Sequence, residues 1–368
     1  MATIKGRMII NGDSAKELKK FKDNSIDAVI TDPPYSISFL GKEWDKNTGA
    51  IEIWQECLRV LKPGGYLLAF SAARTYHILA TNIQSVGFEI RDQIMWLYAS
   101  GFPKAQDIGK AIERRQQKRK NNPLGICRSK IESGPKTYCP KCEKSLNGTN
   151  QKTCKDTVCP LRDEMKPADN KWAGWKTQLK PAHEPICMAR KPFKGSHIDN
   201  VLKHGVGALN IDESRIPYED AGEINPCIPQ AGRRTASFSF GNKQTHAGGD
   251  GSPEYTPNEQ GRFPSNVIGE VEGYQKYFYC PKVSRKERMD FNTHPTVKPV
   301  ALMRYLIKLV APQGSHILDP FMGSGSTGMA CKELGYKFTG IEMDANYVDI
   351  CIRRIEATKT DPKHTLFK

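Results

Sequence analysis

Residues 315–328, with the sequence SHILDPFMGSGSTG, join a short apolar strand through a glycine-rich loop to the start of a helix. Gly323, Gly325 and Gly328 satisfy the spacing G-x-G-x-x-G, in which glycine lets the backbone approach a ligand while the helix N-terminus supplies free N–H groups. Glu342 ends the next predicted strand, where it is placed to accept the two hydroxyls of a ribose. The segment therefore predicts an α/β fold with a site for a nucleoside-containing cofactor.

Two cofactors fit this loop, NAD and S-adenosylmethionine. The loop contains no lysine or arginine to bind a pyrophosphate, and the negative charge of Asp319, immediately before it, would repel one. The same carboxylate suits an amino group, which favours S-adenosylmethionine. Taken alone, the loop also fits an NAD-dependent oxidoreductase or a loop that only packs.

Short apolar runs alternate with helical segments at both ends of the chain. The runs near residues 8, 28, 67, 92, 186, 317 and 340 predict seven strands. Helices are predicted over 14–21, 49–61, 75–85, 300–310, 328–334 and 347–357, and a turn over 62–65. Ser14 and Glu17 have the spacing of a capping box for the first helix. Because continuous apolar strands separated by helices are typical of parallel sheets, we expect a sheet covered on both faces.

The second predicted strand ends in the quartet Asp32, Pro33, Pro34 and Tyr35. Since neither proline donates a ladder hydrogen bond, the chain must leave the sheet there. An exocyclic amine of a nucleobase is a poor nucleophile because its lone pair is delocalised into the ring, so its attack on a sulfonium methyl needs acceptors for its protons. The Asp32 carboxylate and the Pro33 carbonyl provide two, and the Tyr35 ring offers a surface on which an extruded base can stack.

The middle of the chain departs from the regular alternation. The protein has 55 Lys and Arg against 40 Asp and Glu, a net charge of +15, and residues 104–180 hold 19 of the basic and 8 of the acidic ones. Such a local surplus, with a helix-like basic run at 114–120, indicates a polyanionic partner. Residues 195–290, rich in Gly, Pro and Ser, are too long for a plain loop and predict a binding segment.

Four cysteines of the basic stretch form the pattern C-x2-C-x11-C-x4-C: Cys139, Cys142, Cys154 and Cys159. This spacing suits a tetrahedral zinc ion with four thiolate ligands, a closed structural site that would fasten the insertion rather than catalyse. Cys127 is an alternate ligand, and reduced free thiols are the competing interpretation. Six other cysteines lie among apolar or loop residues, as expected in a reducing compartment, where disulfides are rare.

Together, the quartet and FMGSGSTG resemble the amino-methyltransferases of DNA, which modify adenine N6 or cytosine N4. The order, with the quartet first and the glycine loop last, matches their permuted β group. The segments DPPYSISFLGKEWD, LKPAHEPICMARKPF, HPTVKPVALMRYL and LDPFMGSGSTG are similar to those of its phage and prophage branch of site-specific enzymes. The resemblance covers nearly all of 7–103 and patches of 178–357, but little of the cysteine-rich stretch.

The resemblance implies a Rossmann-like methyltransferase fold, circularly permuted, in which a seven-stranded, mostly parallel sheet places the strands ending at Thr31 and Asp319 side by side. It implies that the quartet is catalytic, that Asp13 binds the adenine amino group of the cofactor and that Glu342 binds its ribose. Around the methionine portion it places His294, Thr296, Lys298, Asp319, Phe321, Gly323, Gly325, Ser326 and Thr327. From the residues alone, Asp13 is alternatively a helix cap and Lys298 a solvated lysine.

These patterns divide the chain into five predicted parts. Residues 1–103 and 291–368 are the two parts of the catalytic core, 104–180 the basic zinc-ribbon-like insertion, 181–194 a returning core strand, and 195–290 the target-recognition region that the resemblance implies. No apolar run approaches the roughly 20 residues needed to cross a bilayer, and no leader-like segment begins the sequence. We therefore expect no membrane partner and a cytoplasmic location, in a bacterium or a phage-infected cell.

We expect direct in-line methylation of a flipped base in double-stranded DNA, without a covalent enzyme intermediate. An Asp rather than a Ser at the start of the quartet favours adenine N6 over cytosine N4. A non-catalytic, zinc-containing nucleic-acid-binding protein is the alternative from another class, and the intact quartet and loop argue against it. The sequence leaves open the recognition site, whether the chain forms a homodimer, and whether a restriction endonuclease is a partner.

Overall fold

The computed structural model describes residues 2–4, 6–37, 48–98, 105–121, 172–218, 260–269 and 285–360. They belong to two compact units, one formed by Met1–Ala99 with Ala182–Lys368 and the other by Ser100–Pro181. All described strands belong to the first unit. Among the described residues, no helix combines the length and apolar character that crossing a membrane requires.

The first unit is built on one nine-stranded sheet. Its strands are β1 (Ala2–Ile4), β2 (Arg7–Asn11), β3 (Ile26–Thr31), β4 (Leu61–Phe70), β5 (Glu89–Leu97), β6 (His183–Arg190), β7 (Val267–Gly269), β8 (His316–Asp319) and β9 (Lys337–Glu342). All seven predicted strands are present. The expected count of seven was wrong because β1 and β7, at the two edges, have three residues each, too few for a recognisable periodicity.

The strand order is β1-β2-β9-β8-β3-β4-β6-β5-β7. The strands from β2 to β4 in this order pair in parallel, whereas β6 is antiparallel to both β4 and β5, and β1 is antiparallel to β2. The sheet is therefore mixed but mostly parallel. β5 and β6 pair along their whole length up to Leu97 and His183, and the Tyr98 amide then donates to the Ala182 carbonyl at 2.9 Å.

The helices are α1 (Ser14–Glu17), α2 (Ile51–Val60), α3 (Tyr76–Ser85), α4 (Ile108–Asn121), α5 (His197–His204), α6 (Arg285–Arg288), α7 (Val300–Val310), α8 (Ser326–Leu334) and α9 (Ala345–Ala357), with 3-10 turns at Leu18–Lys20 and Asp212–Ser214. The predicted helices begin and end within two residues of these bounds, except that the helix predicted over 14–21 ends at Glu17 and continues as the 3-10 turn at Leu18–Lys20. The basic run at 114–120 lies on α4.

Two local predictions were wrong. The residue that caps α1 is Asp13, whose carboxylate accepts from the Ala15 amide at 3.0 Å, while Ser14 already belongs to the helix and donates to the Pro320 carbonyl. The predicted turn at 62–65 lies inside β4. Ile26 of β3 pairs with Leu61 and Ala28 with Tyr66, so the extra residues of β4 form a bulge instead of ending the strand.

The sheet is buried on both faces, as predicted. In β3 and β4, Ile30 and Leu68 pack into the cluster that contains α7 and α8, whereas their neighbours Val29 and Leu67 pack into the cluster that contains α2 and α3. All four side chains are fully buried. Because alternate residues of a strand point to opposite faces, this continuous apolar pattern requires helices on both sides.

Candidate active site

The carboxyl ends of β3 and β8 meet in the middle of the sheet. The two strands pair in parallel through Ala28 with Ile317 and Val29 with Leu318, which confirms the predicted adjacency. From here the chain proceeds through α2 to β4 on one side and through α8 to β9 on the other. Such a topological switch point opens a crevice outside the strand ends. The Thr31 hydroxyl, at the end of β3, donates to Asp319 Oδ1 at 2.7 Å and so ties the two ends together.

A cleft with about 320 Å³ of free space, counted with its opening to solvent, lies at this point. The structure brings nine predicted site residues into its lining. The lining consists of Asp32, His294, Thr296, Lys298, Met303, Asp319, Met322, Gly323, Ser324, Gly325, Ser326 and Thr327.

Asp32 is held by two donors at one side of the cleft. Its Oδ2 accepts from Lys298 Nζ at 2.5 Å and its Oδ1 accepts from the Tyr35 hydroxyl at 2.7 Å. Pro33 and Pro34 follow the last residue of β3, and the chain leaves the sheet there as predicted. The Lys298 ammonium thus points toward the quartet. The carboxylates that it contacts are those of Asp32 and Glu184, two side chains of the protein itself.

Glu184, near the start of β6, is a member of this cluster that the sequence analysis did not identify. Its Oε2 lies 2.8 Å from the Tyr35 hydroxyl and 3.3 Å from Lys298 Nζ. We call Asp32, Tyr35, Glu184 and Lys298 the acceptor cluster. The sequence carries one signal for Glu184, a lone acidic residue beside the apolar run PICMA.

Burial and charge together set the electrostatics of the acceptor cluster. The Lys298 side chain is 8% exposed, and its ammonium lies 4.9 Å from the centre of the Phe70 ring. Burial alone would lower the pKa of Lys298, but the nearby carboxylates of Asp32 and Glu184 outweigh it and raise that pKa. Burial and then the same two carboxylates raise the pKa of Tyr35 well above its usual value. At neutral pH, therefore, Lys298 is charged and Tyr35 keeps its proton.

Asp319 is enclosed on the other side of the cleft. Its Oδ1 accepts from the Thr31 hydroxyl and, at 3.1 Å, from the Phe321 amide, while its Oδ2 accepts from the Thr327 hydroxyl at 2.7 Å. Burial raises the pKa of Asp319 to about 6, although these hydrogen bonds act in the opposite direction. A buried acid with a raised pKa is stabilised in its ionised form by a cationic ligand.

Residues 323–327, the glycine loop, contain two glycines in the left-handed region of backbone conformation. Gly323 and Gly325 have φ values of +51° and +81°, which L side chains rarely adopt. Gly325 is the N-cap of α8, and a Cβ atom there would lie 2.3 Å from Cys351 Sγ. The Gly323 amide donates to Glu342 Oε2 at 2.9 Å. Burial raises the pKa of Glu342 against the effect of its backbone hydrogen bonds.

Arg354, on α9, supports the glycine loop from behind, and sequence reasoning missed it. Its fully buried guanidinium donates through Nη1 to the Ser324 carbonyl at 2.7 Å and to the Ser324 hydroxyl at 3.0 Å. Its Nη2 donates to the Glu287 carbonyl at 3.1 Å. A buried arginine on the last helix has no local sequence motif, so only its periodic position among apolar residues could have suggested a role.

His294 and Thr296 lie between the two sides of the cleft. His294 Nδ1 is hydrogen-bonded to the Thr296 carbonyl, and its ring packs against Tyr347 with 4.5 Å between ring centres. Burial lowers the pKa of His294, so the ring is neutral at pH 7. A Cβ atom on Gly323 would lie 3.0 Å from His294 Nε2. The histidine ring therefore packs closely against the glycine loop.

Three predicted cofactor residues lie near the cleft but are not among the described residues that line it. Asp13 caps α1, one residue after Gly12, whose amide donates to the Glu342 carbonyl at 3.0 Å. Glu342 accepts a hydrogen bond from the Gly323 amide of the glycine loop. Phe321 packs its ring 5.7 Å from that of Trp54.

The predicted zinc ligands Cys139, Cys142, Cys154 and Cys159 lie outside the described residues, as does most of the predicted target-recognition region. Within the part of the chain that the structure describes, no group of three or more metal-binding side chains occurs. The described cysteines Cys57, Cys187, Cys331 and Cys351 are buried free thiols, as the sequence predicted.

Comparison with known proteins connects this cleft to a family. A family model for DNA methylases of the N6/N4 type matches residues 26–353. Type II methyltransferase M.HindIII of Haemophilus influenzae is 25% identical over 399 aligned positions that cover 96% of each chain. DNA adenine methyltransferase YhdJ of Escherichia coli is 23% identical, with 95% of this chain and 83% of the relative covered.

Among solved structures, a PvuII DNA methyltransferase described as cytosine-N4-specific aligns with a TM-score of 0.49 and 14% identity over 99% of this chain and 91% of its own. The M1.HpyAVI–SAM complex aligns with a TM-score of 0.43 and 18% identity over 94% and 98%. The family model, in contrast, spans most of the chain and includes both strand ends of the cleft. This protein therefore belongs to the N6/N4 family of DNA methyltransferases.

Proposed function

We propose that this enzyme transfers a methyl group from S-adenosylmethionine to the exocyclic N6 of a flipped adenine in double-stranded DNA. The observation that carries the proposal is that Asp32 and the glycine loop line one cleft, although 290 residues of chain lie between Asp32 and Gly323. A hydrogen-bond acceptor for the amine and a candidate cofactor site thus face the same space.

The residues in and beside the cleft fit S-adenosylmethionine by their chemistry. Asp319 and Glu342 are acids whose pKa values burial raises, and a cationic ligand would stabilise their ionised forms. The glycine loop offers closely approachable backbone, and Glu342 suits a ribose diol. Asp13, His294, Thr296, Lys298 and Phe321 remain proposed cofactor contacts. When bound, S-adenosylmethionine supplies a methyl group on a positively charged sulfur.

Asp32 acts by position and charge. Lys298 and Tyr35 fix its carboxylate, which then accepts a hydrogen bond from the target amine and draws the nitrogen lone pair out of conjugation. The Pro33 carbonyl is the second acceptor, and Tyr35 the stacking surface. Holding nitrogen and methyl in line supplies most of the remaining rate enhancement.

Adenine N6 is the favoured target, with cytosine N4 the alternative. Asp at the start of the quartet and the similarity to YhdJ, a DNA adenine methyltransferase, support this choice. The test is to incubate the enzyme with labelled cofactor and mixed-sequence duplex, digest the DNA to nucleosides, and identify the product by mass spectrometry. N6-methyladenine is expected. N4-methylcytosine would reassign the target, and no methylated base would overturn the function.

We also propose that residues 104–180 and 195–290 contact the DNA and that the four cysteines hold a structural zinc ion. The basic composition of the first segment and the thiolate spacing support these roles. About one zinc ion per chain is expected in the purified protein, by analogy with closed four-thiolate sites. Metal analysis that finds no zinc removes this part of the proposal.

A further inference from the structure

The acceptor cluster contains more acid than the positioning of a base requires. Two carboxylates, of Asp32 and Glu184, contact one ammonium, that of Lys298. The other titratable groups that interact with them are Tyr98, His294 and Asp319. Tyr98 and His294 are neutral, because burial raises the pKa of Tyr98 to about 12 and lowers that of His294, while Asp319 is a further acid, not a counter-charge. Among the described residues, therefore, one negative charge of the cluster is not balanced inside it.

The Tyr35 hydroxyl lies between the two acids. It is 2.7 Å from Asp32 Oδ1 and 2.8 Å from Glu184 Oε2, and Lys298 Nζ donates to the same oxygen at 3.1 Å. A hydroxyl has one proton, so it donates to one carboxylate at a time, and it can accept from the other acid only when that acid is protonated. An acid, a hydroxyl and a second acid at these distances form a continuous path for a proton.

The reaction releases a proton where this path begins. As the nitrogen–methyl bond forms and the sulfur–methyl bond breaks, the amino nitrogen becomes positively charged, and it regains its lone pair only when an N–H bond breaks. Asp32, the acceptor for that amine, already holds hydrogen bonds from Lys298 and Tyr35. A proton left on Asp32 would weaken the acceptor for the next amine, so it must leave.

We propose that Glu184 receives this proton through the Tyr35 hydroxyl, an inference that rests on the proposed function. The N–H proton moves to Asp32; the Asp32 proton moves to the Tyr35 oxygen as the Tyr35 proton moves to Glu184 Oε2. The electron pair of the N–H bond stays on nitrogen, Asp32 is again a carboxylate, and Glu184 becomes a carboxylic acid. Its side chain is 21% exposed, so it can return the proton to solvent.

Glu184 does not touch the base in this scheme and is therefore a positioning residue that also accepts the proton. A purely structural Glu184 would hold Lys298 and Tyr35 in place, and its loss would lower activity without changing how many protons move. Two measurements separate the two roles. One is how the rate of repeated turnover depends on the solvent isotope, and the other is the energetic coupling between the variants at Glu184 and Tyr35.

The experiment measures the rate of repeated methylation turnovers, in which Asp32 must be restored each time, for wild type, Glu184→Gln, Tyr35→Phe and the double variant, with S-adenosylmethionine affinity measured by calorimetry. We expect Glu184→Gln to lose about tenfold or more in rate, within the range for general acid–base groups, and to keep its cofactor affinity. We expect the double variant to be no slower than the slower single variant, because both changes break one path. Glu89→Gln is the control, an ion-paired glutamate of β5 that contacts Arg190 at 2.6 Å.

A proton inventory in mixtures of H2O and D2O tests the wild-type enzyme directly. Two protons moving together give a curved dependence in wild type and a linear one in Glu184→Gln. A linear or absent dependence in wild type overturns the path, as do a Glu184→Gln rate within twofold of wild type and rate losses that multiply in the double variant. If wild type itself does not methylate DNA, the proposed function fails; if wild type methylates and the inventory is linear, this inference alone fails.

Discussion

The two sides of the cleft are held together by different interactions. The acceptor cluster after β3 consists of ion pairs and hydrogen bonds between charged side chains, with Lys298 at its centre. The side after β8 depends on backbone shape, with positive φ values at two glycines and backbone amides donating to Asp319 and Glu342. In the function proposed above, the first side serves mainly the reaction and the second mainly cofactor binding.

The strongest test of this division is Asp32→Ala. It removes the acceptor for the target amine but leaves the glycine loop unchanged, so we expect methylation to fall about a thousandfold or more while S-adenosylmethionine affinity stays within a few-fold. Turnover and calorimetric affinity are the measurements, with Asp349→Ala, at an exposed carboxylate of α9, as the control. Equal losses in both quantities would mean that the two sides are not separable.

The converse test is Gly325→Ala. The added Cβ would meet Cys351 Sγ at 2.3 Å and force an unfavourable φ, so we expect a loss of about 3 kcal/mol, seen as roughly a hundredfold weaker cofactor binding or as reduced thermal stability. Gly314→Ala is a matched control, because Gly314 has nearly the same φ, +80°, and nothing within 4 Å of the added atom. It should cost about 1 kcal/mol in stability and leave affinity unchanged. If both variants bind the cofactor with the same affinity, the absence of a side chain at Gly325 is not required for cofactor binding.

Cofactor affinity should depend on pH through Asp319. Because burial raises its pKa to about 6, the free enzyme holds Asp319 protonated below that pH, whereas a cationic amino group needs the carboxylate. Affinity should therefore increase with pH, about tenfold per unit at the steepest, and level off above pH 6. The dependence should be lost in Asp319→Asn and kept in Glu342→Gln. Affinity that is flat between pH 4.5 and 7 contradicts the assignment.

The smallest effect is expected at the residue that joins the two sides. Thr31→Val removes the donor to Asp319 Oδ1, but Phe321 and Thr327 still donate to that carboxylate. We expect a loss of about 1 kcal/mol, or roughly fivefold in cofactor affinity, and a smaller change in turnover. Ser25→Ala, an exposed hydroxyl bonded to Lys22 just before β3, is the control. A larger effect on turnover than on affinity would place Thr31 with the acceptor cluster.

The same contrast explains how much of the site the sequence could predict. The glycine loop is a local motif. Its spacing predicts which residues form the loop, that a strand precedes it and that a helix follows it. The acceptor cluster joins Tyr35 to Glu184 over 149 residues and Asp32 to Lys298 over 266. Periodicity predicts that a strand exists but not which strands are neighbours, so Glu184 was assigned to a strand and not to the site.

Outside the site, too, features that a local residue pattern determines were predicted, and features that long-range contacts determine were not. The continuous apolar runs correctly predict that the sheet is buried on both faces. The bulge in β4 depends on register with β3, and the positions of the edge strands β1 and β7 depend on the pairing partners. Arg354 donates hydrogen bonds to a loop that lies about 30 residues earlier in the chain. These features depend on tertiary contacts, for which no local residue pattern exists.

The pairing of β5 with β6 also bears on where the chain can accept an insertion. The chain leaves the sheet after Leu97 and re-enters at its cross-strand neighbour His183, so the departure and return points are already fastened to each other. A segment can be inserted there without changing the order of strands in the sheet, provided that its two ends lie close together. A tight hairpin turn and a separate domain both meet this condition. An exchange at this point therefore leaves the strand order of the sheet, and with it the cleft at the strand ends, unaltered.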